Sequence, residues 1–356
     1  MFSYLKNIDW IIVAAVGLLS AASLTSLASF GRPLFARQAL WLGLGFFIII
    51  FACRINWRWL LTNGWFVKSF YWFSVVLIFA ANFQSETIRG TKSWIIIGGF
   101  RFQPVELVKV SLILILADFF AKKGDEAWLH KNIALSFFYA MLPAGIVILH
   151  PDLGSAMVIV AVWLGFLFTA GFHIKRAAAI LVFFVLAGAL SWFFVMKPYQ
   201  KDRLTGFLFP EKDPLGVNYN VAQSKIAIGS AGFLGKGFNF GTQTHLKFLP
   251  EAETDFIFAG FVEEWGVFGG LVVLLTFIIL LFRITRIGIN ARGGDLKFLS
   301  IGVALVLAVH LFVNAGSTLG ITPVTGIPLP FLSYGGSSVL TLATLLSIME
   351  NIKLGS

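Results

Sequence analysis

The chain has 356 residues, 58% of them hydrophobic and 12% charged, too few polar side chains to cover a soluble fold of that size. Its formal charge of +10 is scattered among connections rather than gathered on one basic face, which argues against a nucleic-acid partner. Cys53 is the only cysteine, so an intramolecular disulfide and a cysteine-based metal cluster are excluded.

The apolar residues come in blocks of about 18 to 25, each long enough as a helix to cross a hydrocarbon core of about 30 Å. They lack the period-two alternation of barrel strands. Spans are predicted at 10–27, 36–53, 65–82, 104–121, 132–149, 155–172, 177–196, 256–282, 298–318 and 334–352. The expected fold is thus an all-α polytopic membrane protein of about ten transmembrane helices, forming one domain over 1–356. The N-terminus carries no signal-peptide cleavage pattern, and its first block is read as a retained span.

Placing the N-terminus in the cytoplasm assigns thirteen basic residues to that side, Lys6, Arg54, Arg283 and Lys353 among them. The short outer loops keep five: Arg32, Arg37, Arg89, Lys92 and Arg101. That asymmetry sets the orientation. It leaves the long stretch from Lys197 to Asp255, between the seventh and eighth spans, outside the cytoplasm. Pro210, Pro214, Pro250 and seven glycines punctuate this loop, and loops of such length commonly carry function. Gln223 to Phe233 is predicted as a short amphipathic helix in it, followed by the Gly-rich turn GKGFNFGTQ.

Five places carry candidate chemistry. In QPVELVK, Glu106 and Lys109 stand three residues apart on one helical face and can pair, either as a structural lock or lining a cavity. Arg101 and Gln103 lie just before them, where a guanidinium suits a phosphate. Asp152, in HPDLGS, is either the cap of the next helix or a cavity residue; His150 has no second ligand at metal-binding spacing. Three carboxylates, Glu251, Glu253 and Asp255, cluster where the long loop re-enters the membrane. Asp255 is expected at a helix N-terminus, a field that suits an acid in any case. Glu263 and Glu264 follow inside an apolar span and need partners, for which Lys109 and Arg101 are candidates. Lastly, residues 320–338 hold three prolines and no charge, which predicts irregular backbone dipping into the membrane around a cavity that Ser333 would line.

The stretches QPVELVK, HPDLGSA, AQSKIAIGSAGFLGKG, GTQTHLKFLPEAETDFIFAGFVEEWG and GIPLPFLSYGGSS together resemble the SEDS family of bacterial cell-wall proteins, over the whole chain. Within the family they are closest to its elongation branch. The resemblance implies a peptidoglycan glycosyltransferase that polymerises lipid II, the lipid-linked disaccharide-pentapeptide, outside the cytoplasmic membrane during elongation and shape maintenance. It also implies a class B penicillin-binding transpeptidase and the elongation machinery as partners. The family's essential loop aspartate maps to Asp255, and its cavity charges to Glu106 and Lys109. Two positions depart from the pattern: Val105 stands where serine is common, and Glu253 where a histidine often precedes TDF.

An inverting transfer needs a carboxylate to take the acceptor proton and cations to meet the leaving diphosphate. Asp255 is the candidate base, with Lys109 or Arg101 facing the diphosphate. Because a helix N-terminus makes a carboxylate a poorer base, Asp255 is equally a candidate ligand for Mg or Mn. A lipid II flippase, or a scaffold that only recruits the transpeptidase, are the competing readings.

Overall fold

The computed structural model describes residues 8–354 except 56, 82, 84–92, 98, 99, 151, 172, 195, 213–215 and 217. Lys6, Arg89, Lys92 and Pro214 therefore lie outside the described residues. In chain order the helices are α1 (Trp10–Phe30), α2 (Arg32–Phe51), α3 (Trp57–Thr62), α4 (Gly64–Ala81), α5 (Pro104–Lys123), α6 (His130–Leu149) and α7 (Leu153–Thr169). There follow α8 (Ile174–Phe194), α9 (Pro198–Leu208), α10 (Tyr219–Ser230), α11 (Thr242–His245), α12 (Ile257–Asn290), α13 (Gly294–Leu319) and α14 (Gly336–Leu354). A small antiparallel hairpin, β1 (Ile95–Ile97) and β2 (Phe100–Phe102), precedes α5 and sets Arg101 opposite Ile96.

Every predicted span has a long helix: α1, α2, α4 to α8 and α12 to α14. Seven of these are long and apolar enough to cross a bilayer on composition alone. Of the other three, α7 is apolar but only 17 residues long, while α5 and α14 carry polar and charged groups and sit inside the bundle. In α5, 14 of 20 residues are buried, Glu106 and Lys109 among them. α8 is the opposite case, with no buried residue: it touches the bundle through Ile180, Phe183 and Phe184 and leaves most of its surface for lipid. α5 packs against α4 and α13, and α12 lies between α1 and α13.

α12 is broken at Gly266, whose backbone is left-handed in φ (73°) with ψ 178°. A break frees two amides and two carbonyls, which cannot stay unpaired at membrane depth. The long loop satisfies all four: Val267 and Phe268 amides donate to the carbonyls of Gly232 and Phe233, while Lys236 and Gly237 amides donate to those of Glu263 and Glu264. A side chain at Gly266 would put its Cβ 2.2 Å from the Phe233 carbonyl oxygen. This insertion explains a shift from expectation. The loop helix runs over Tyr219–Ser230 rather than Gln223–Phe233, because Gly232 and Phe233 leave it to pair with α12.

At the opposite end of α12, Arg283 Nε donates to Asp9 Oδ2 at 2.5 Å, and Lys353 Nζ lies 3.3 Å from the same oxygen. Asp9 also caps α1 by accepting from the Ile11 amide, and its own amide donates to Glu350 at 2.8 Å. These groups tie α1, α12 and α14 together at the end remote from Asp255.

Candidate active site

The segment between α13 and α14 contains no helix over residues 321–335, as its three prolines require. It is nonetheless packed inside the protein, with Ile327, Leu329, Phe331 and Leu332 buried. Its backbone is held by buried polar side chains from neighbouring helices. Gln38 of α2 donates to the Ser333 carbonyl at 3.2 Å and accepts from the Gly335 amide at 3.2 Å. Asn314 of α13 donates to the Ile327 carbonyl at 2.8 Å. His310, one turn earlier on the same face, shares a hydrogen bond with the Pro328 carbonyl at 2.9 Å.

Asp255 sits on this framework. Its own carbonyl accepts from Asn314 at 3.1 Å. Ser333 Oγ donates to the carbonyl of the preceding Thr254 at 2.7 Å, and the Tyr334 amide to that of Glu253 at 3.0 Å. A Cβ on Gly326 would lie 3.6 Å from Asp255 Oδ2, so the carboxylate faces the bare backbone of this segment. Asp255 itself is half-buried and stands one residue before Phe256, the cap of α12. It is thus a loop residue next to a helix start, as expected, rather than part of the first turn.

Glu106 and Lys109 pair as the spacing requires, at 2.7 Å with both side chains 3% exposed. Lys109 Nζ also lies 3.2 Å from His310 Nε2. The ion pair therefore reaches, through His310 and the Pro328 carbonyl, the same segment that faces Asp255. Asp152 caps α7, accepting from the Ser155 amide at 2.9 Å and its hydroxyl at 2.8 Å. It also accepts from Gln103 Nε2 at 3.3 Å, so the capping and lining readings coincide in one residue. The Thr325 carbonyl lies where a Cβ on Gly154 would reach it at 2.6 Å, which brings the start of α7 against the Gly326 segment. Arg101 is exposed on β2, and its carbonyl accepts from Ser337 Oγ of α14. Burial holds the His150 imidazole below its ordinary range, against the opposing charge of Asp152.

Glu263 and Glu264 do not meet Lys109 or Arg101. Glu263 is fully buried and accepts from Lys236 Nζ at 2.8 Å, from the Gln243 and Thr244 amides, and from the Thr242 and Thr244 hydroxyls. Glu264 pairs with His245 at 3.2 Å. Both partners come from the long loop, which a reading confined to the spans could not reach. Sequence reasoning also passed over Gln38, His310 and Asn314. Each is a buried polar group on a spanning helix, a type that is expensive in a membrane and by default functional.

Among the described residues no three His, Cys, Asp or Glu converge as a metal cluster. Asp255 presents a half-buried carboxylate beside the backbone of Gly326. That fits Mg²⁺, which binds through one or two carboxylates together with substrate phosphates and water.

Ten long helices around an irregular buried segment, seven of them long and apolar enough to cross a bilayer, with the Asp255 carboxylate set against that segment, define a multi-pass membrane protein. The chain belongs to the family of FtsW, RodA and SpoVE, described as cell cycle proteins, whose profile matches residues 4–356. The peptidoglycan glycosyltransferase MrdB of Escherichia coli K12 is 36% identical over 311 residues, which are 87% of this chain and 83% of that protein. Two solved structures share the fold. One, from work on coordination of polymerization and crosslinking by a peptidoglycan synthase complex, has a TM-score of 0.83 at 29% identity and covers 98% of both chains. The other, the Thermus thermophilus rod shape determining protein RodA, has a TM-score of 0.73 at 26% identity, covering 98% of this chain and 97% of that one.

Proposed function

We propose that this protein is a peptidoglycan glycosyltransferase that polymerises lipid II at the outer face of the cytoplasmic membrane, with Asp255 at its reacting centre. The observation that carries the reading is the placement of Asp255: one carboxylate, half-buried, held from behind by Asn314 and Ser333 and facing the backbone of Gly326. A base must be fixed to within a fraction of an ångström of its proton donor, and such bracing supplies that.

The acceptor hydroxyl attacks the anomeric carbon of the donor sugar as the bond from that carbon to the diphosphate breaks. The hydroxyl proton passes to Asp255, the diphosphate leaves on its lipid, and configuration inverts. Arg101, exposed on β2, is the cation placed to meet the diphosphate, since Lys109 is committed to Glu106 and His310. Glu106 and Lys109 act from below, fixing the Pro328 end of the segment. A bound divalent ion would be held by Asp255 and would add positive charge against the diphosphate oxygens.

The N-terminus lies in the cytoplasm and the long loop outside it, consistent with the distribution of Lys and Arg. The partner is a class B penicillin-binding transpeptidase of the elongation machinery; the likeness to a chain from a peptidoglycan synthase complex supports this.

The test is polymerisation of lipid II by the purified protein with its transpeptidase partner. Asp255→Ala and Asp255→Asn should yield no glycan polymer, and normal chains from either would defeat the assignment. Repeating the wild-type assay with a chelator separates the two roles of Asp255: loss of polymer on chelation and its return with Mg²⁺ or Mn²⁺ mark a metal ligand, and indifference marks the base. Labelled lipid II crossing a liposome membrane without polymer would instead indicate transport.

A further inference from the structure

A cavity of about 200 Å³ opens between α9, α10 and the chain that follows α13, with Arg203, Phe207, Asn220, Lys225, Thr322 and Pro323 in its lining. Among the described residues that line it, the two that bear a charge, Arg203 and Lys225, are both cationic. The groove is built rather than incidental. Gly206 of α9 comes so close to Asn218 that a Cβ there would meet its Oδ1 at 2.6 Å, and Asn218 Nδ2 donates to the Pro210 carbonyl at 3.1 Å. Ser224 Oγ donates to the Thr318 carbonyl, which fixes α10 against the end of α13. Lys225 Nζ lies beside Gly320, the left-handed residue that ends α13, at 2.5 Å from where a Cβ would stand.

The groove lies at the Asp255 end of the bundle: Ser224 of α10 reaches the Thr318 carbonyl in the last turn of α13, and Asn314, one turn earlier, donates to the Asp255 carbonyl. The groove also communicates with Asp255. Thr322 and Val324 line it, and the same strand of backbone continues to Gly326, which faces the Asp255 carboxylate. Four residues of extended chain cover at most about 14 Å.

A ligand that places its reacting sugar at Asp255 keeps its diphosphate and lipid tail at the membrane. Only its water-soluble remainder extends outward to the groove. We propose that this groove binds the carboxylate-bearing peptide stem carried by the sugar chain, Arg203 and Lys225 meeting its carboxylates and Phe207 and Pro323 packing on its apolar side chains. The assignment rests on the lipid II reading above and extends it to a subsite.

Binding is measured on the purified full-length protein in detergent by isothermal titration, with N-acetylmuramyl-pentapeptide as probe and the same compound with its carboxylates amidated. The wild type should bind the free acid about tenfold tighter than the amide, the scale of one charge-assisted hydrogen bond. Arg203→Gln/Lys225→Gln should bind both forms alike while keeping the wild-type thermal unfolding midpoint, and Asp255→Ala should keep the preference. Absence of probe binding, or a preference retained in the double variant, would overturn the proposal. So would displacement of both probe forms alike by nanodiscs rich in phosphatidylglycerol, which would give the groove to a lipid headgroup. Titration needs no turnover, so a failure of polymerisation and a failure of this subsite are read separately.

Discussion

Asn314 and Asp255 are joined through the backbone: the amide nitrogen of Asn314 donates to the Asp255 carbonyl at 3.1 Å and to the Ile327 carbonyl at 2.8 Å. One side chain thus fixes the distance between the loop that carries the carboxylate and the segment that faces it. Asn314→Asp keeps the shape and removes the donor. Leaving two buried carbonyls unpaired costs about 1–3 kcal/mol each, and a misplacement of about 1 Å at a reacting centre lowers the rate about 100-fold. The expected result is a fall of about 10- to 100-fold in kcat for polymerisation with KM for lipid II little changed. A rise in KM alone would mean that Asn314 serves substrate binding instead.

The Glu106–Lys109 pair makes a prediction about stability. Lys109→Met strands a carboxylate that is 3% exposed, and breaking a buried pair in this way costs about 3–5 kcal/mol. Adding Glu106→Gln removes the stranded charge and should recover most of that loss, because a neutral pair carries far less desolvation cost. Thermal unfolding in detergent checks both steps. If the pair also fixes the Pro328 end of the segment through His310, the double variant regains stability without regaining polymerisation.

What was legible beforehand follows from where each signal is local. The spans were readable because each is a continuous apolar block, and the Glu106–Lys109 pair because both groups lie on one helical turn. The irregular stretch before α14 announced itself by Pro323, Pro328 and Pro330. The partners of Glu263 were not legible: Lys236 and the Gln243 and Thr244 amides lie about twenty or more residues away, in a loop that has no periodicity of its own. The break in α12 was hidden for a related reason. A glycine inside an apolar run reads as a tolerated helix residue, and only the loop that pairs with the freed backbone gives it meaning.

That loop yields the third prediction. Glu263→Ala removes the acceptor for two amides, two hydroxyls and the Lys236 ammonium, while the spans themselves keep their packing. The loop should open locally, with about 3 kcal/mol lost from its closure, or about a 100-fold larger open population. Limited proteolysis should cut between Gly232 and Pro250 at rates that rise accordingly, with the global unfolding midpoint moving little. Unchanged cleavage would show that the backbone bonds at Gly266 hold the loop unaided.

The last prediction tests whether the Gly326 segment must lie where it does. Gly154 opens α7 beside Asp152, and a Cβ there would meet the Thr325 carbonyl at 2.6 Å and the Ile327 side chain at 2.9 Å. Relief requires the segment to move, since the other side of the contact is a helix start fixed by the Asp152 cap. Overpacking of this kind costs about 1–3 kcal/mol, and the displaced backbone is the one facing Asp255. Gly154→Ala should therefore lower the polymerisation rate at least about tenfold while leaving the Glu106–Lys109 pair in place. Gly145→Ala in α6 is the matched control, because a Cβ there meets nothing within 4 Å and alanine favours the helix by up to about 1 kcal/mol. Equal activity in the two variants would show that the site tolerates movement of the Gly326 backbone, and would place the demand for geometry on Asp255 and Asn314 alone.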